Sequence, residues 1–578
     1  MVANAVMARP LRAGLLALLF SLCVADVVAA DTAPAAPACT PIVTSITAVF
    51  PLPQVPKPAY LVPTLDPTFG TTLTRIVGNS GSSTAPVSGT FGSDVRHHYM
   101  TDQPWSADGT LYAIQNSGSP SQMFLDGETF VPRYGRCSNY SSGDDWWHPT
   151  RAHAHERISV NGSKLSWFDV TTCTQTRQWT LPITAQGGVT EGTSWDGRYT
   201  ALTNGTEGGS GHSVVIVEMD PLPGRVGPAQ DVFTNCGSAC TSIDWVGVSP
   251  SGKYLLVSYS GDFERVFDIN PDLTLTPHPI STPKFPGCAT STAGGFIYDL
   301  GHGSMAPNPF DNNEDVVVGQ EHCSNKDKSS VLDSQGKRLG TVLMVRMKDG
   351  QITALTDPTD EADARHISLL SYDAPGWAYL SYHNDAYAGA RFLGEIVAVK
   401  MDGSKTTKRL AHSHTDYNSY RSEAHAVPSR DGQRVAFASS WSKNCGSGCG
   451  STGNPQDYVI DTRLMCGTDT TSPVVSNVAA TTITITAATI TFTTNEPGDS
   501  YVEYGLTTTY GNIASNAALV TSHAVPLSSL ASATTYHYRV RSKDAAGNTS
   551  TFSTDKTFTT LDASPPPAPT GLVRTDKK

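Results

Sequence analysis

Charge is what this chain has least of. Only 16% of its residues are Asp, Glu, Lys or Arg, and the acids outnumber the bases 52 to 40. The resulting net charge of -12 argues against general nucleic-acid binding, which needs a basic face. Long apolar runs are also missing. Beyond the first two dozen residues no stretch is apolar enough to span a bilayer. Helical periodicity is absent from the repeating part of the chain. No serine-hydrolase elbow, P-loop or Rossmann glycine pattern stands in a suitable setting, which removes three common kinds of site.

What is present begins at the N-terminus. Arg9 and Arg12 precede an apolar run from Ala13 to Val24, and small residues follow to Val28-Ala29-Ala30. A basic segment, a short apolar segment and a small-x-Ala end predict a secretory signal peptide over residues 1–30. The expected location is secreted, extracellular or periplasmic. Eleven cysteines are present, and setting aside Cys23 leaves an even number. In an exported chain that predicts a disulfide framework. Cys236 with Cys240 and Cys445 with Cys449 would close short loops; zinc is the rival reading of these two pairs. Cys39 with Cys466 would clamp the two ends of the repeating region. Cys137 with Cys173 and Cys288 with Cys323 complete the simplest nested choice.

Residues 31–39 read as an Ala/Pro-rich leader. From about 40 to 466 one pattern recurs: a polar turn with Asp or Gly, then an alternating apolar strand. Its landmarks include Ser106-Ala-Asp108-Gly109, Ser194-Trp-Asp196-Gly197, Ser249-Pro-Ser-Gly252, Ser371-Tyr-Asp373 and Ser429-Arg-Asp431-Gly432. Glycine supplies the positive φ, and the Asp side chain caps the turn. Seven such units without helical periodicity predict a seven-bladed β-propeller, with a stacked β-sandwich as the alternative. After a linker at 467–473, residues 474–560 carry Thr/Ile/Val-rich strands and Thr534-Thr-Tyr-His-Tyr-Arg-Val. This part resembles a bacterial fibronectin type III domain, an all-β sandwich. Residues 561–578 form a Pro-rich tail, whose Ser564-Pro-Pro-Pro resembles the opening of a further such domain.

The turn-plus-strand repeat of residues 90–465 resembles TolB-like and oligogalacturonate-lyase-like propellers. The segments Gly301-His302 and Glu423-Ala-His425-Ala-Val-Pro-Ser-Arg-Asp431-Gly resemble the places where oligogalacturonate lyases carry metal-binding histidines. The resemblance implies a divalent metal (manganese, calcium or zinc) held by His302, Glu423 and His425, binding a uronate carboxylate. Glu423 stands where that family has a histidine, and Tyr420 where it has a glutamine. The family's catalytic base lies on the preceding blade, but this chain has no histidine between His212 and His278. Tyr254 and Tyr259 are the nearest proton-active residues there.

Chemistry sets the remaining roles. Removing a proton beside a carboxylate requires a cation to neutralise that carboxylate and a group to take the proton. Arg421 is the candidate cation, and Tyr420 and His414 are candidates for proton transfer. A second cluster runs from Arg96-His97-His98-Tyr99 to Trp146-Trp147-His148-Pro149-Thr150-Arg151. It joins aromatic faces that stack on sugar rings to Arg groups that pair with carboxylates. Arg96, His98, Trp147, His148 and Arg151 are the candidate substrate-binding residues. The alternative reading of Trp146 and Trp147 is packing between blades. The function expected is a secreted lyase cleaving a uronic-acid glycan by β-elimination. The alternatives are a non-catalytic binding propeller and a glycoside hydrolase, for which Glu191 and Asp244 are candidate carboxylates. The expected partner is a polysaccharide or oligosaccharide. Neither nucleic acid nor a membrane span is expected, and the state expected is a monomer.

Overall fold

A computed structural model describes residues 40–578, apart from 141–143, 186–191, 207, 235–239, 261–262, 281–295, 299, 321–340, 358–361, 385–388, 418, 447–448, 464, 467–471, 544–548 and 564–578. The signal, the leader, Cys39, Cys236, Cys288, Cys323, Glu191 and most of the tail therefore lie outside the described residues. No helix among the described residues is long and apolar enough to cross a membrane.

The chain is built from successive antiparallel meanders, as the repeat requires. Four of them are Asp144–Trp147 through Thr174–Thr180, Tyr199–Thr203 through Gln230–Asp231, Ser304–Asn308 through Ile352–Ala354, and Ala364–Ser368 through Thr407–His412. Another runs from Ile243–Val248 to Phe296–Tyr298. The rest belong to a nine-stranded sheet, in which a single parallel bridge, Val95 to Gln456, joins two antiparallel groups. Divided there, it yields a meander over 95–135 and a closing sheet.

The closing sheet draws on both ends of the region. Gln456–Asp461 pairs with Arg434–Ser439 on one side and with Thr72–Arg75 on the other. Thr40–Pro41 runs parallel to Met465–Cys466. Apolar clusters join each meander to the next. Leu111, Phe124, Trp147 and Phe168 link the meander at 95–135 to its successor. Phe91, Val95, Trp105 and Tyr112 pack on Ala436 and Val459 of the closing sheet. The ring of meanders is thus a propeller whose cores lie between blades. Full burial of each such side chain contributes about 1.5–3 kcal/mol.

The turns repeat one geometry. Ser106 Oγ donates to Asp108 Oδ1 at 2.7 Å, and that oxygen accepts from Thr110 N at 3.1 Å. Ser194 with Asp196 and Ser429 with Asp431 do the same. Gly109, Gly197 and Gly432 have φ of 76°, 76° and 69°, which L-residues rarely adopt. The disulfides Cys137–Cys173 and Cys445–Cys449 are formed. Cys240 is also disulfide-bonded.

The C-terminal part is a β-sandwich. Ala488–Gly505 pairs with Val475–Thr481, Asn512–Leu527 and Thr535–Arg541, with register shifts between Thr493 and Ser500. Tyr536, Tyr538 and Val540 point inward against Ile490, Phe492 and Phe558. His537, Arg539 and Arg541 alternate outward.

Candidate functional site

First strands of several successive meanders touch: Tyr199–Thr203 with Ile243–Val248, Ser304–Asn308 with Ala364–Ser368, and Ala364–Ser368 with Val427–Pro428. Side chains at or just before these strands therefore meet although they are far apart in sequence. His302 precedes Ser304–Asn308, His366 lies within Ala364–Ser368, and Glu423 and His425 precede Val427–Pro428. Tyr99 follows the short strand Val95–Arg96. The His366 and His425 rings stack with centroids 4.0 Å apart, and His302 lies 4.9 Å from His366. Tyr99 reaches all three, at 6.3 Å from His302, 5.8 Å from His366 and 4.9 Å from His425.

His366, Glu423 and His425 offer ligand atoms that all lie within 4.8 Å of one another. The three residues are buried, yet Glu423 Oε2, His425 Nδ1 and both ring nitrogens of His366 make no hydrogen bond. His366 Nδ1 lies 3.3 Å from Glu423 Oε2. Buried polar atoms without partners are rare and costly, and an absent ion is one of their ordinary explanations. His425 Nε2 is 3.0 Å from the Tyr420 carbonyl, which can only accept. The proton therefore sits on Nε2, and the Nδ1 lone pair points at the cluster, the arrangement that orients metal-binding imidazoles. Burial holds the His302 imidazole below its ordinary pKa and those of His366 and His425 well below it. All three are neutral near pH 7, as ligation requires. A two-imidazole, one-carboxylate set fits a divalent transition ion better than calcium, which prefers oxygen ligands throughout.

His302 stands beside this trio. Its Nδ1 is engaged by the Tyr99 hydroxyl at 2.8 Å, so Nε2 is the nitrogen left for a metal. The Tyr420 hydroxyl donates to that of Tyr99. Tyr420 opens a short 3-10 helix, Tyr420–Ser422, capped by Ser419. It is 48% exposed, and partial burial pushes its phenol up to about 12. His425 has φ of 48°, an unusual value for a residue with a side chain. Such strain persists where surrounding structure enforces it, and here it does. His97 Nε2 donates to the His425 carbonyl at 2.7 Å, while His97 Nδ1 meets Asp457 Oδ1 at 2.7 Å.

Other expected site residues sit elsewhere. Arg421 is bound to Asp94 through Nε and Nη2, at 2.6 and 3.0 Å. His414 is buried against Trp441, bonds the Lys443 carbonyl, and burial lowers it to about 4. Trp147 is buried between meanders, with Arg157 over its ring at 4.9 Å. His148 packs against His153 and Trp167. Arg151 is exposed and paired with Asp373. His98 lines a crevice with Tyr99, Asp102, Asp144, Trp146 and Trp147, whose volume of about 50 Å³ is too small for a sugar ring. Arg96 is buried beside the imidazoles. Tyr259 bonds the Val232 carbonyl, and Tyr254 packs on His278. Asp244 lies within electrostatic reach of Tyr99 and Tyr420.

Sequence reasoning did not single out His366 or Tyr99. His366 stands five residues before Ser371 of a blade turn, much as His425 stands four before Ser429. Aligning the blades by their turns would have placed both histidines at corresponding positions, within or just before a first strand.

Comparison with known proteins adds little to this geometry. No family model matches the chain. Endoglucanase B of Cellulomonas fimi is 38% identical over 107 residues, covering 18% of this chain and 10% of that enzyme. The chain thus matches only a tenth of that relative's length. An oligogalacturonate lyase structure from Vibrio parahaemolyticus aligns with 69% of this chain and 96% of its own, at 11% identity and a TM-score of 0.42. The Swd1 propeller domain of Myceliophteria thermophila aligns with 62% of this chain and 96% of its own, at 11% identity and 0.34. A human fibronectin type III domain aligns with 18% of this chain and 85% of its own, at 20% identity and 0.14.

Proposed function

We propose that this protein is a secreted glycan-cleaving enzyme, specifically a lyase acting on a uronic-acid polysaccharide at the propeller axis. One observation carries the reading: His366, Glu423 and His425 present ligand atoms that make no hydrogen bond and lie within 4.8 Å of one another in a buried site. His302, with Nε2 left over, completes the candidate set.

A divalent ion bound there would supply positive charge against a substrate carboxylate and favour the enolate-like state of β-elimination. The protein's own residues supply the rest. Tyr420, the exposed member, meets the sugar and, protonated at neutral pH, gives its hydroxyl proton to the leaving oxygen. Its hydroxyl is held by Tyr99, which is held in turn by His302. Arg421 closes the rim with Asp94 and orients the chain of sugars rather than the reacting carboxylate. His414, stacked on Trp441, is the weaker proton-transfer candidate. His98 and Arg151 would serve the outer part of a long substrate, whereas the buried Trp147 and His148 pack beneath it. The disulfides support export.

The test is to incubate the purified protein with a panel of uronic-acid polysaccharides, with and without chelator, and follow ultraviolet absorbance. New absorbance from unsaturated ends, lost on chelation and restored by zinc or manganese, is the expected result. Glycan binding with neither absorbance nor new reducing ends would replace the lyase with a binding platform.

A further inference from the structure

A cavity of about 320 Å³ is lined by Asp94, Gln115, Ser121, Arg136, Asp145 and Arg421, among others. Its volume falls in the range of roughly 300–1,000 Å³ usual for small-ligand sites. It lies where the strands Leu111–Asn116 and Gln122–Asp126 meet the 3-10 helix Tyr420–Ser422, whose first residue is the exposed Tyr420. No aromatic ring is among its described lining residues, so recognition there falls to polar groups.

The charges of these walls do not cancel. Asp94 pairs with Arg421 at 2.6 Å, and Asp145 with Arg157 at 3.1 Å. Arg136 is left over, because among the described residues no carboxylate lies within 4.0 Å of it. Its Nε and Nη2 donate to the Tyr140 carbonyl at 3.2 and 3.0 Å, and its Nη1 reaches Ser121 Oγ at 3.5 Å. The guanidinium is held in place. Arg136 N bonds the Gln122 carbonyl at 3.0 Å, and the next residue, Cys137, is tied to Cys173. A fixed cation without a counter-charge at the wall of a cavity attracts an anion.

The directions of the donors select among anions. The Nε–Nη2 edge of Arg136 is spent on Tyr140, and that of Arg421 on Asp94. A planar carboxylate, which pairs best with such an edge, finds neither free. Single donors remain. Arg421 Nη1 can only donate and meets Gln115 Oε1 at 3.3 Å, which leaves the amide N–H groups of Gln115 for a ligand. Ser121 Oγ and Arg136 Nη1 come from other elements. Donors that converge singly from separate elements match the oxygens of a tetrahedral oxyanion.

We propose that this cavity is a sulfate subsite, which takes a sulfate ester on a sugar of the glycan whose reacting unit lies at the axis. The inference rests on the glycan reading for the sugar, and on the cavity alone for the sulfate.

The test uses the intact protein, kept in chelator so that the axial site holds no metal, and titration calorimetry with glucose 6-sulfate, glucose and glucuronate. Glucose 6-sulfate is expected to bind about tenfold or more tightly than either of the others, the scale of a charge-assisted hydrogen bond. Glucose or glucuronate binding as tightly as the sulfate, or no binding of the sulfate at millimolar concentration, overturns the proposal. Arg136→Gln should erase the preference, and a preference that survives in that variant overturns the proposal. If the variant does not fold, the three-ligand comparison on the wild type decides. A preference that appears only after zinc or manganese is restored would assign the anion to the axial ion and overturn the subsite. Sulfate-selective binding without unsaturated products from any polysaccharide would sink the lyase reading and leave the subsite standing.

Discussion

The blade turns and the propeller axis treat polar side chains in opposite ways. At the turn Ser429–Gly432, Ser429 Oγ donates to Asp431 Oδ1 at 2.5 Å and accepts from Arg434 N at 3.0 Å. Asp431 Oδ1 also accepts from Gln433 N, at 3.1 Å. The same closed circuit recurs at Ser106 and Ser194. At the axis, Glu423 Oε2, His425 Nδ1, both nitrogens of His366 and two nitrogens of Arg96 are buried without hydrogen bonds. Polar groups that shape the fold find partners within the chain. Those at the axis leave hydrogen-bonding atoms unused within the chain, as the proposed metal site would require.

The sharpest way to break that contrast is to remove an axial ligand. Losing a residue that merely orients a metal ligand lowers affinity about 10- to 100-fold, so losing a ligand should exceed that. Glu423→Gln and His425→Gln are each expected to abolish stoichiometric binding of zinc or manganese after dialysis, as read by elemental analysis. Full stoichiometry in both variants would return the cluster to a structural role.

Asp457 tests the support beneath the site. It is fully buried and joins His97, Tyr112 and, through His97, the carbonyl of His425. Asp457→Asn replaces one carboxylate oxygen with a donor, so a buried N–H or O–H that it accepted is left unsatisfied, at a cost of about 1–3 kcal/mol. Denaturant unfolding should show that loss. Metal affinity should also fall, because the strained backbone of His425 loses its tether.

Acid provides a graded test on histidines outside the axial trio. Burial pushes His148 down to about 3 and His414 to about 4, from an ordinary value near 6.5. Below pH 6.5 the unfolded chain binds these protons and the folded protein does not. Stability is therefore complete above pH 6.5 and falls as the pH drops from 6.5 towards 4, by up to about 1.4 kcal/mol per pH unit for each group. The unfolding midpoint should fall between pH 7 and pH 5, and His414→Gln should flatten the fall. An unchanged slope in that variant would remove His414 from the account.

The same contrast explains what was legible in the sequence. Ser106-Ala-Asp108-Gly109 carries its whole hydrogen-bond circuit within a few residues, so the turns, and with them the repeat, could be read locally. The inward Tyr536 and Tyr538 were legible for the same reason, because a strand alternates. His302, Glu423 and His425 were reached through their resemblance to a family motif. Tyr99 carries no local sign, since what defines it is proximity to residues of other blades, and His366 shows only in its distance from the turn at Ser371. Arg421 illustrates the converse. Adjacency to the cluster in sequence suggested a free cation, but Asp94, more than three hundred residues away, occupies it.

The smallest expected effect probes the turns themselves. In Asp431→Ala the buried Ser429 hydroxyl loses its acceptor, while water replaces the partner that the N–H of exposed Gln433 loses. Net hydrogen bonds of this kind contribute about 0.5–1.5 kcal/mol each, so a loss of about 1 kcal/mol is expected. Gly432→Ala should cost more, because φ of 69° disfavours a Cβ that would also stand 2.7 Å from the Tyr379 hydroxyl. Neither substitution should alter metal stoichiometry, since the turn's circuit closes on itself. If Asp431→Ala released the metal, turn and axis would be one coupled network. The distinction between groups that shape the fold and groups held for a ligand would then fail at the blade that carries Glu423 and His425.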